Sequence, residues 1–415
     1  MKHVIIIADG AGDLPLAELA GKTPLEAARM PNTASLARRG RMGVACTTPP
    51  GFEAGSDVCS MSLLGYDPAR YHTGRAPLEA AALGLDLTPR DWIFRLNFVT
   101  TGEQGADAGL MLDHSAGAIT DIEARELVRD LVAHWQRVDP ALVRDVALHP
   151  GVSYRSILVD SSGADYATLH TTPPHAIPRE RWESHMPRGA GGERVARLMM
   201  LSREALAGHR VNAARRGAGK REATMAWVWG QGTKPSVPTF RERFGLRGAM
   251  ITSVDLLRGI AAYIGWDRLE VAGLTSYHDT DYAAQGRATI DAIARYDIVC
   301  CHIEAPDEAS HQGDWRTKVA SLEAIDEKVV GPVVAALGER YSDAWRVLLL
   351  PDHYTLCSTR KHDATPVPFL MAGALQHSHG GADVRACDAF TESLAVSTGW
   401  RVAQGHELMA TWLGG

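Results

Sequence analysis

No apolar run in this 415-residue chain approaches the ~20 residues that a membrane-spanning helix needs, so the sequence predicts no membrane partner. The apolar stretch 4–8 is too short for the core of a signal peptide, and no small-residue cleavage site follows it. The six cysteines form no C-x-x-C pair and no disulfide-like spacing, which points to reduced thiols and a cytoplasmic protein. An excess of positive charge is also missing. Lysine and arginine total 43 against 49 acidic residues, the formal net charge is −6, and no basic stripe exists to follow a nucleic-acid backbone. The glycine-rich run Gly217-Ala218-Gly219-Lys220 lacks the spacing and the following Ser/Thr of a P-loop. There is no internal repeat, heptad pattern or low-complexity tract.

What remains is ordinary globular composition, 45 % hydrophobic and 22 % charged, enough for one large α/β unit or two domains. Continuous β-branched or apolar runs at 4–8, 297–303 and 347–350 read as buried strands, as do 42–47, 92–99, 224–229 and 250–251. Helical patterns alternate with them: a start at Thr23-Pro24, then 32–39, 78–83, 193–207 and 254–264, the last with Ser253 as its cap. The basic run 212–222 reads as a solvated loop. The alternation predicts a mainly parallel sheet sandwiched by helices. Residues 100–180 break it. They combine a helix at 121–135, a turn and strand at 149–159 and a stiff exit at Pro173-Pro174, and so predict a smaller inserted α+β domain. The expected division is a core of 1–99 and 181–415 with a lid of 100–180.

Three predicted strand ends carry residues of metal-ligand type. The first strand stops at Asp9. The strand 297–303 runs into Glu304-Ala305-Pro306-Asp307, and a helix opening at Pro306 puts Asp307 and His311 four apart on one face. The strand 347–350 ends at Pro351-Asp352-His353, with His362 nine residues on. Taken singly, an i,i+4 Asp/His pair is a common surface salt bridge, and a loop histidine is a common hydrogen-bonding residue. Ser56, after Gly55, is either an N-cap or an exposed nucleophile aimed by a helix start. Together these residues fall where a doubly wound sheet gathers its site. Mixed oxygen and nitrogen donors in this number suit two divalent ions, Mn²⁺ or Zn²⁺ before Mg²⁺. A hydroxyl held by such ions ionises readily, and two ions can clamp an in-line phosphoryl displacement. Arg75 and Arg155 are candidate clamps for phosphate or carboxylate, being bidentate donors, and Ser115 is a candidate anion contact at a helix start.

These motifs resemble the archaeal-type, 2,3-bisphosphoglycerate-independent phosphoglycerate mutases of the alkaline phosphatase superfamily. The likeness is carried by Ile7-Ala8-Asp9-Gly10, Gly55-Ser56-Asp57, Ser62-Leu63-Leu64-Gly65-Tyr66-Asp67-Pro68, Thr73-Gly74-Arg75-Ala76-Pro77-Leu78-Glu79-Ala80 and Asp113-His114-Ser115-Ala116-Gly117. Further on it is carried by His302-Ile303-Glu304-Ala305-Pro306-Asp307-Glu308-Ala309-Ser310-His311, Leu350-Pro351-Asp352-His353, Pro366-Val367-Pro368-Phe369 and Gly405-His406-Glu407-Leu408-Met409. The resemblance implies an alkaline-phosphatase-like α/β fold with an inserted lid. It implies that Ser56 is transiently phosphorylated, that Asp9, Ser56, Asp352 and His353 hold one metal, and that Asp307, His311 and His362 hold the other. The implied substrate is a small phosphorylated metabolite, and the implied reaction is the interconversion of 3- and 2-phosphoglycerate. Val58 and Ala76 are closer to a bacterial subgroup proposed to phosphorylate homoserine, which leaves an ATP-dependent homoserine kinase as a second reading. A metal-stabilised binding protein without turnover is a third. Oligomeric state is not legible in the sequence.

Overall fold

A computed structural model of the chain describes residues 1–375 and 387–414. The chain divides into two compact units, Met1–His72 with Val237–Gly415, and Thr73–Ser236.

The first unit is built on an eight-stranded sheet. Its order is Arg401–Val402, Arg41–Ala45, Val367–Gly373, Trp345–Leu350, Lys2–Ala8, Ile298–Ile303, Gly248–Ile251 and Asp267–Arg268. Every neighbouring pair is parallel except the two made by Val367–Gly373. Lys2–Ala8 lies at the centre because both of its faces are apolar. Val4, Ile6 and Ala8 pack into one core with Leu36, Ile293, Leu322, Val333 and Leu337 of the helices Pro31–Arg39, Tyr282–Arg295, Trp315–Ile325 and Gly331–Tyr341. Ile5 and Ile7 face the other way and are buried too, while His3 meets the Trp412 ring edge-on at 5.4 Å. Full burial of one such aliphatic side chain is worth about 1.5–3 kcal/mol, which is why an all-apolar run becomes a doubly covered strand.

The second unit is an antiparallel sheet around the long strand Trp92–Thr101, flanked by Arg155–Asp160 and Met225–Thr233. Val146–Pro150 continues it beyond Arg155–Asp160, and Met111–Asp113 pairs with the end of Trp92–Thr101. Period-two alternation sorts the side chains of Trp92–Thr101. Phe94, Leu96 and Phe98 enter a core with Leu127, Leu131 and Trp135 of helix Asp121–Val138 and Val195 and Leu198 of helix Gly192–Leu206. Ile93, Arg95 and Asn97 occupy the opposite face. The unit is wider than residues 100–180: Trp92–Thr101 and Met225–Thr233 share a ladder from Trp92 to Val99, so neither separates from the other.

Two local expectations are corrected. The helix Arg210–Gly217 runs into the first half of the basic stretch 212–222 expected as a loop, and is started by the His209 ring accepting from Val211 N–H at 3.2 Å. Its Arg215 turns inward, donating to Glu123 at 2.7 Å and to the carbonyls of Ala116 and Arg221. Ser253 does not cap Asp255–Tyr263: its hydroxyl meets Ser276, and Thr252 Oγ1 accepts from Val254 N–H instead. No helix among the described residues is long and apolar enough to cross a membrane.

Candidate active site and metal centre

Parallel pairing brings the carboxyl ends of the central strands to one edge of the first unit, and the candidate residues follow those ends. Asp9 follows Lys2–Ala8, and Glu304 and Asp307 follow Ile298–Ile303. Asp352 and His353 follow Trp345–Leu350, and His362 lies in the hairpin of Tyr354–Leu356 with Lys361–Asp363. Asp307 and His311 share a face of the helix Ala305–Gln312, their side chains 3.2 Å apart. Gly10 is required here. Its φ is +61°, and a Cβ on it would come within 2.6 Å of Asp307 Oδ1 and Thr355 Oγ1. Lys318, fully buried, ties two of these loops together by donating to Asp13 Oδ2 at 2.9 Å, Gly12 O at 3.2 Å and Thr355 O at 2.8 Å.

Ser56 is the first residue of the helix Ser56–Leu63, and Gly55 stands at the cap position. Gly55 is extended (φ −175°), so the turn makes no use of left-handed freedom there. The Ser56 hydroxyl caps nothing. Its Oγ lies 3.3 Å from Asp9 Oδ2 and 3.2 Å from His353 Nε2.

Two donor groups surround it. In one, Asp9, Asp352 and His353 lie fully buried, with His353 Nε2 at 3.5 Å from both Asp9 Oδ1 and Asp352 Oδ2. In the other, Asp307 turns one oxygen to each of two rings, Oδ2 to His311 Nε2 at 3.2 Å and Oδ1 to His362 Nε2 at 3.5 Å. The His311 and His362 Nε2 atoms face each other at 2.9 Å. All seven residues expected to hold metal are thus assembled in one place.

The ring orientations test whether these groups suit a cation. His311 Nδ1 lies 3.0 Å from Arg360 O, and His362 Nδ1 lies 3.0 Å from Ala54 O. A carbonyl only accepts, so each ring keeps a proton on Nδ1 and turns Nε2 inward. In the metal-free chain those two nitrogens bond Asp307 and each other; deprotonated, both offer lone pairs beside one carboxylate, an arrangement that suits a cation. Asp9 Oδ1, buried and without a hydrogen-bond partner, calls for one as well. Burial, with Asp352 and Glu304 nearby, pushes the Asp9 carboxyl well above its usual range. Burial, with Asp307 nearby, does the same to Glu304. Burial also acts to raise Asp307, but the hydrogen bonds of His311 and His362 outweigh it and hold that carboxyl low. The Asp307 hydrogen bond lifts His311 to about 9. The donor set therefore fits divalent cations.

Sequence reasoning missed His302 and Glu304, which join Asp9 in a third group. His302 Nε2 lies 2.8 Å from Asp9 Oδ2, and burial pushes its pKa down to about 4. The signal was present as a histidine inside an otherwise apolar strand.

The residues expected to bind substrate all lie in the second unit. On the sheet face opposite its helical core, Arg95 stacks 4.2 Å from the Trp229 ring and pairs with Glu79 at 2.9 Å. Trp229 Nε1 donates to Asn97, which donates on to His114 O. Arg155 is the ladder partner of Asn97, and its guanidinium lies over Tyr154. Burial, with the charges of Arg75 and Arg155, depresses Arg95. The Nε atoms of Arg95 and Arg155 are buried without hydrogen-bond partners. Arg75 and Arg155 thus belong to one guanidinium cluster, to which the structure adds Arg95. Ser115 differs from expectation. It sits in a turn well before the helix that starts at Asp121, and it gives its hydroxyl proton to Asp113 Oδ1 at 2.6 Å.

A family model described as 2,3-bisphosphoglycerate-independent phosphoglycerate mutase matches residues 37–212. A 2,3-bisphosphoglycerate-independent phosphoglycerate mutase of Methanothrix thermoacetophila is 44 % identical across all of both chains. Among solved structures, a Pyrococcus horikoshii protein superposes with TM-score 0.77 at 27 % identity, over 100 % of this chain and 96 % of its own. The cofactor-independent phosphoglycerate mutase of Thermoplasma acidophilum gives 0.66 at 25 % identity, over 100 % and 99 %.

Proposed function

The chain belongs to the 2,3-bisphosphoglycerate-independent phosphoglycerate mutase family, and on that premise we propose that it interconverts 3-phosphoglycerate and 2-phosphoglycerate through a phosphoserine at Ser56. The observation that carries the reading is the Ser56 hydroxyl, free of any capping duty and held at 3.2–3.3 Å from His353 and Asp9 between two clusters of cation donors. Asp9, Ser56, Asp352 and His353 would hold one divalent ion, and Asp307, His311 and His362 the other. Three imidazoles among carboxylates suit Mn²⁺ or Zn²⁺, with Mg²⁺ less suited, and Mn²⁺ is the ion chosen for the tests below. When bound, such ions lower the pKa of the serine hydroxyl and offset the charge of the phosphoryl group.

The chain's own groups do the rest. Ser56 Oγ attacks phosphorus in line. Its proton has Asp9 Oδ2 within reach, and the bond to the glycerate 3-oxygen breaks. The 3-oxygen takes up one proton as it leaves; glycerate is retained and turned, its 2-hydroxyl gives up one proton as it attacks the phosphoserine, and Ser56 Oγ leaves and is reprotonated, so no net proton is consumed. Retention needs cationic groups that grip a carboxylate in two places, which Arg75, Arg95 and Arg155 supply. Water must be kept from the phosphoserine during this interval, and the second unit is the closing substrate domain on this reading. Ser115 supports that site through its hold on Asp113. Cys46, Cys59, Cys300, Cys301 and Cys357, all free thiols, suit a cytoplasmic location.

The test is phosphorus NMR of the Mn²⁺-loaded protein with 3-phosphoglycerate and no 2,3-bisphosphoglycerate. A mixture of the two monophosphates with little free phosphate is expected. Free phosphate alone, or transfer from ATP to L-homoserine with no phosphoglycerate turnover, overturns the proposal.

A further inference from the structure

His302 lies fully buried against Asp9 but belongs to neither donor set above. We infer that His302 is a positioning residue of opposite tautomer to the three inward-facing histidines: it carries its proton on Nε2, donates it to Asp9 Oδ2, and so leaves Asp9 Oδ1 as the oxygen available to a cation. The inference rests on the two-cation reading of the site.

His311 and His362 each give the Nδ1 proton to a backbone carbonyl. For His353 the partner of Nδ1 is Thr355 Oγ1 at 3.2 Å, and that hydroxyl gives its own proton to Asp307 Oδ1 at 2.5 Å. Thr355 must therefore accept from His353, whose proton sits on Nδ1 as well. All three rings therefore turn Nε2 inward, as a lone pair once a cation is bound.

His302 reverses each step. Its Nδ1 faces Thr252 Oγ1 at 3.0 Å, and that oxygen already accepts from Val254 N–H at 3.1 Å. That leaves the Thr252 proton free to point at His302 Nδ1. A buried neutral ring with Nδ1 accepting holds its one proton on Nε2, 2.8 Å from Asp9 Oδ2. With Asp9 ionised, as a ligand to a cation is, the other tautomer would set a bare nitrogen lone pair against a bare carboxylate oxygen in a dry site. Asp9 Oδ2 thus receives the His302 proton and lies within reach of the Ser56 hydroxyl. Asp9 Oδ1 is left buried, without a hydrogen-bond partner, and 3.5 Å from His353 Nε2. Without His302 the carboxylate loses the bond that fixes which oxygen it presents.

Two measurements test this. Long-range nitrogen-15 correlation spectra of the metal-free protein report tautomers directly, with His302 assigned by its loss in His302→Gln. The Nε2–H form is expected for His302 and the Nδ1–H form for His353 and His362. Calorimetric titration with Mn²⁺ then compares variants. His302→Leu should weaken one of two binding events about 10–100-fold and leave the other unchanged, the scale found when a ligand's outer partner is lost. His302→Gln, whose amide N–H can reach the same oxygen, should recover most of that loss. An Nδ1–H tautomer for His302 overturns the inference. So does a third Mn²⁺ equivalent in the wild type that His302→Leu removes, which would make His302 a ligand. Unchanged affinities in both variants do the same, and if His302→Leu fails to fold, the wild-type spectrum and His302→Gln still decide. The spectrum needs no turnover, so failure of the mutase reading and failure of this inference are separable.

Discussion

In the proposed two-cation site the inner groups of the first unit would exchange protons for cations, and His311 is where this is most readily measured. In the metal-free chain the Asp307 hydrogen bond holds His311 at about 9, above its ordinary 6.5. A histidine whose folded pKa is raised adds stability that is full below the unfolded value and fades as pH rises through the folded one. The metal-free protein should therefore lose stability between about pH 6.5 and 9, and His311→Gln should flatten that slope. Over the same window a cation must displace one proton from His311, so Mn²⁺ affinity should climb with pH and proton release should be largest near neutrality. Thermal melts in chelator and titrations in buffers of differing ionisation enthalpy read both effects. A metal-free melt that rises across this window contradicts the assignment.

The elements explain how much of this the sequence could reveal. Strands at 4–8, 297–303 and 347–350 were legible because they are apolar on both faces, and the acids that end them stand out against that background. The Asp307–His311 pair followed from helical spacing once Pro306 opened the helix. His302 was not legible as a partner of Asp9, because their contact spans 293 positions and depends on strand register. Arg215 and the helix Arg210–Gly217 were hidden by composition: a basic, glycine-flanked run reads as solvated, yet tertiary hydrogen bonds draw one arginine inside. In the second unit, alternation along Trp92–Thr101 puts Arg95 and Asn97 on one face, but their clustering with Arg155 emerges only from sheet pairing. That pairing motivates a prediction. Arg155→Ala should lower phosphoryl transfer about 10²-fold, the scale of a lost positioning contact, and raise the fraction released as free phosphate. A surface ion pair would be worth about 0–1 kcal/mol and would move neither quantity. The ratio of free to transferred phosphate, in wild type and variant, separates the two.

At the scale of the whole molecule the chain holds two compact units with separate cores and separate chemistry. The first carries the serine and every donor of the candidate metal centre, and the second carries the guanidinium cluster. In the proposed reaction the first makes and breaks the phosphoserine, and the second keeps the acceptor from escaping. A protein with only the first function would be a phosphatase. The proposed reaction therefore requires a phosphoryl group that resides on Ser56 and then returns to the same glycerate. The most direct test is rapid acid quench of the Mn²⁺-loaded protein during turnover of 3-phosphoglycerate, with peptide mapping by mass spectrometry. A phosphate on Ser56 is expected in the wild type, with 2-phosphoglycerate appearing without a matching pool of free phosphate, and neither signal in Ser56→Ala. Formation of 2-phosphoglycerate by Ser56→Ala, or a phosphate mapped to a different residue in the wild type, would contradict it.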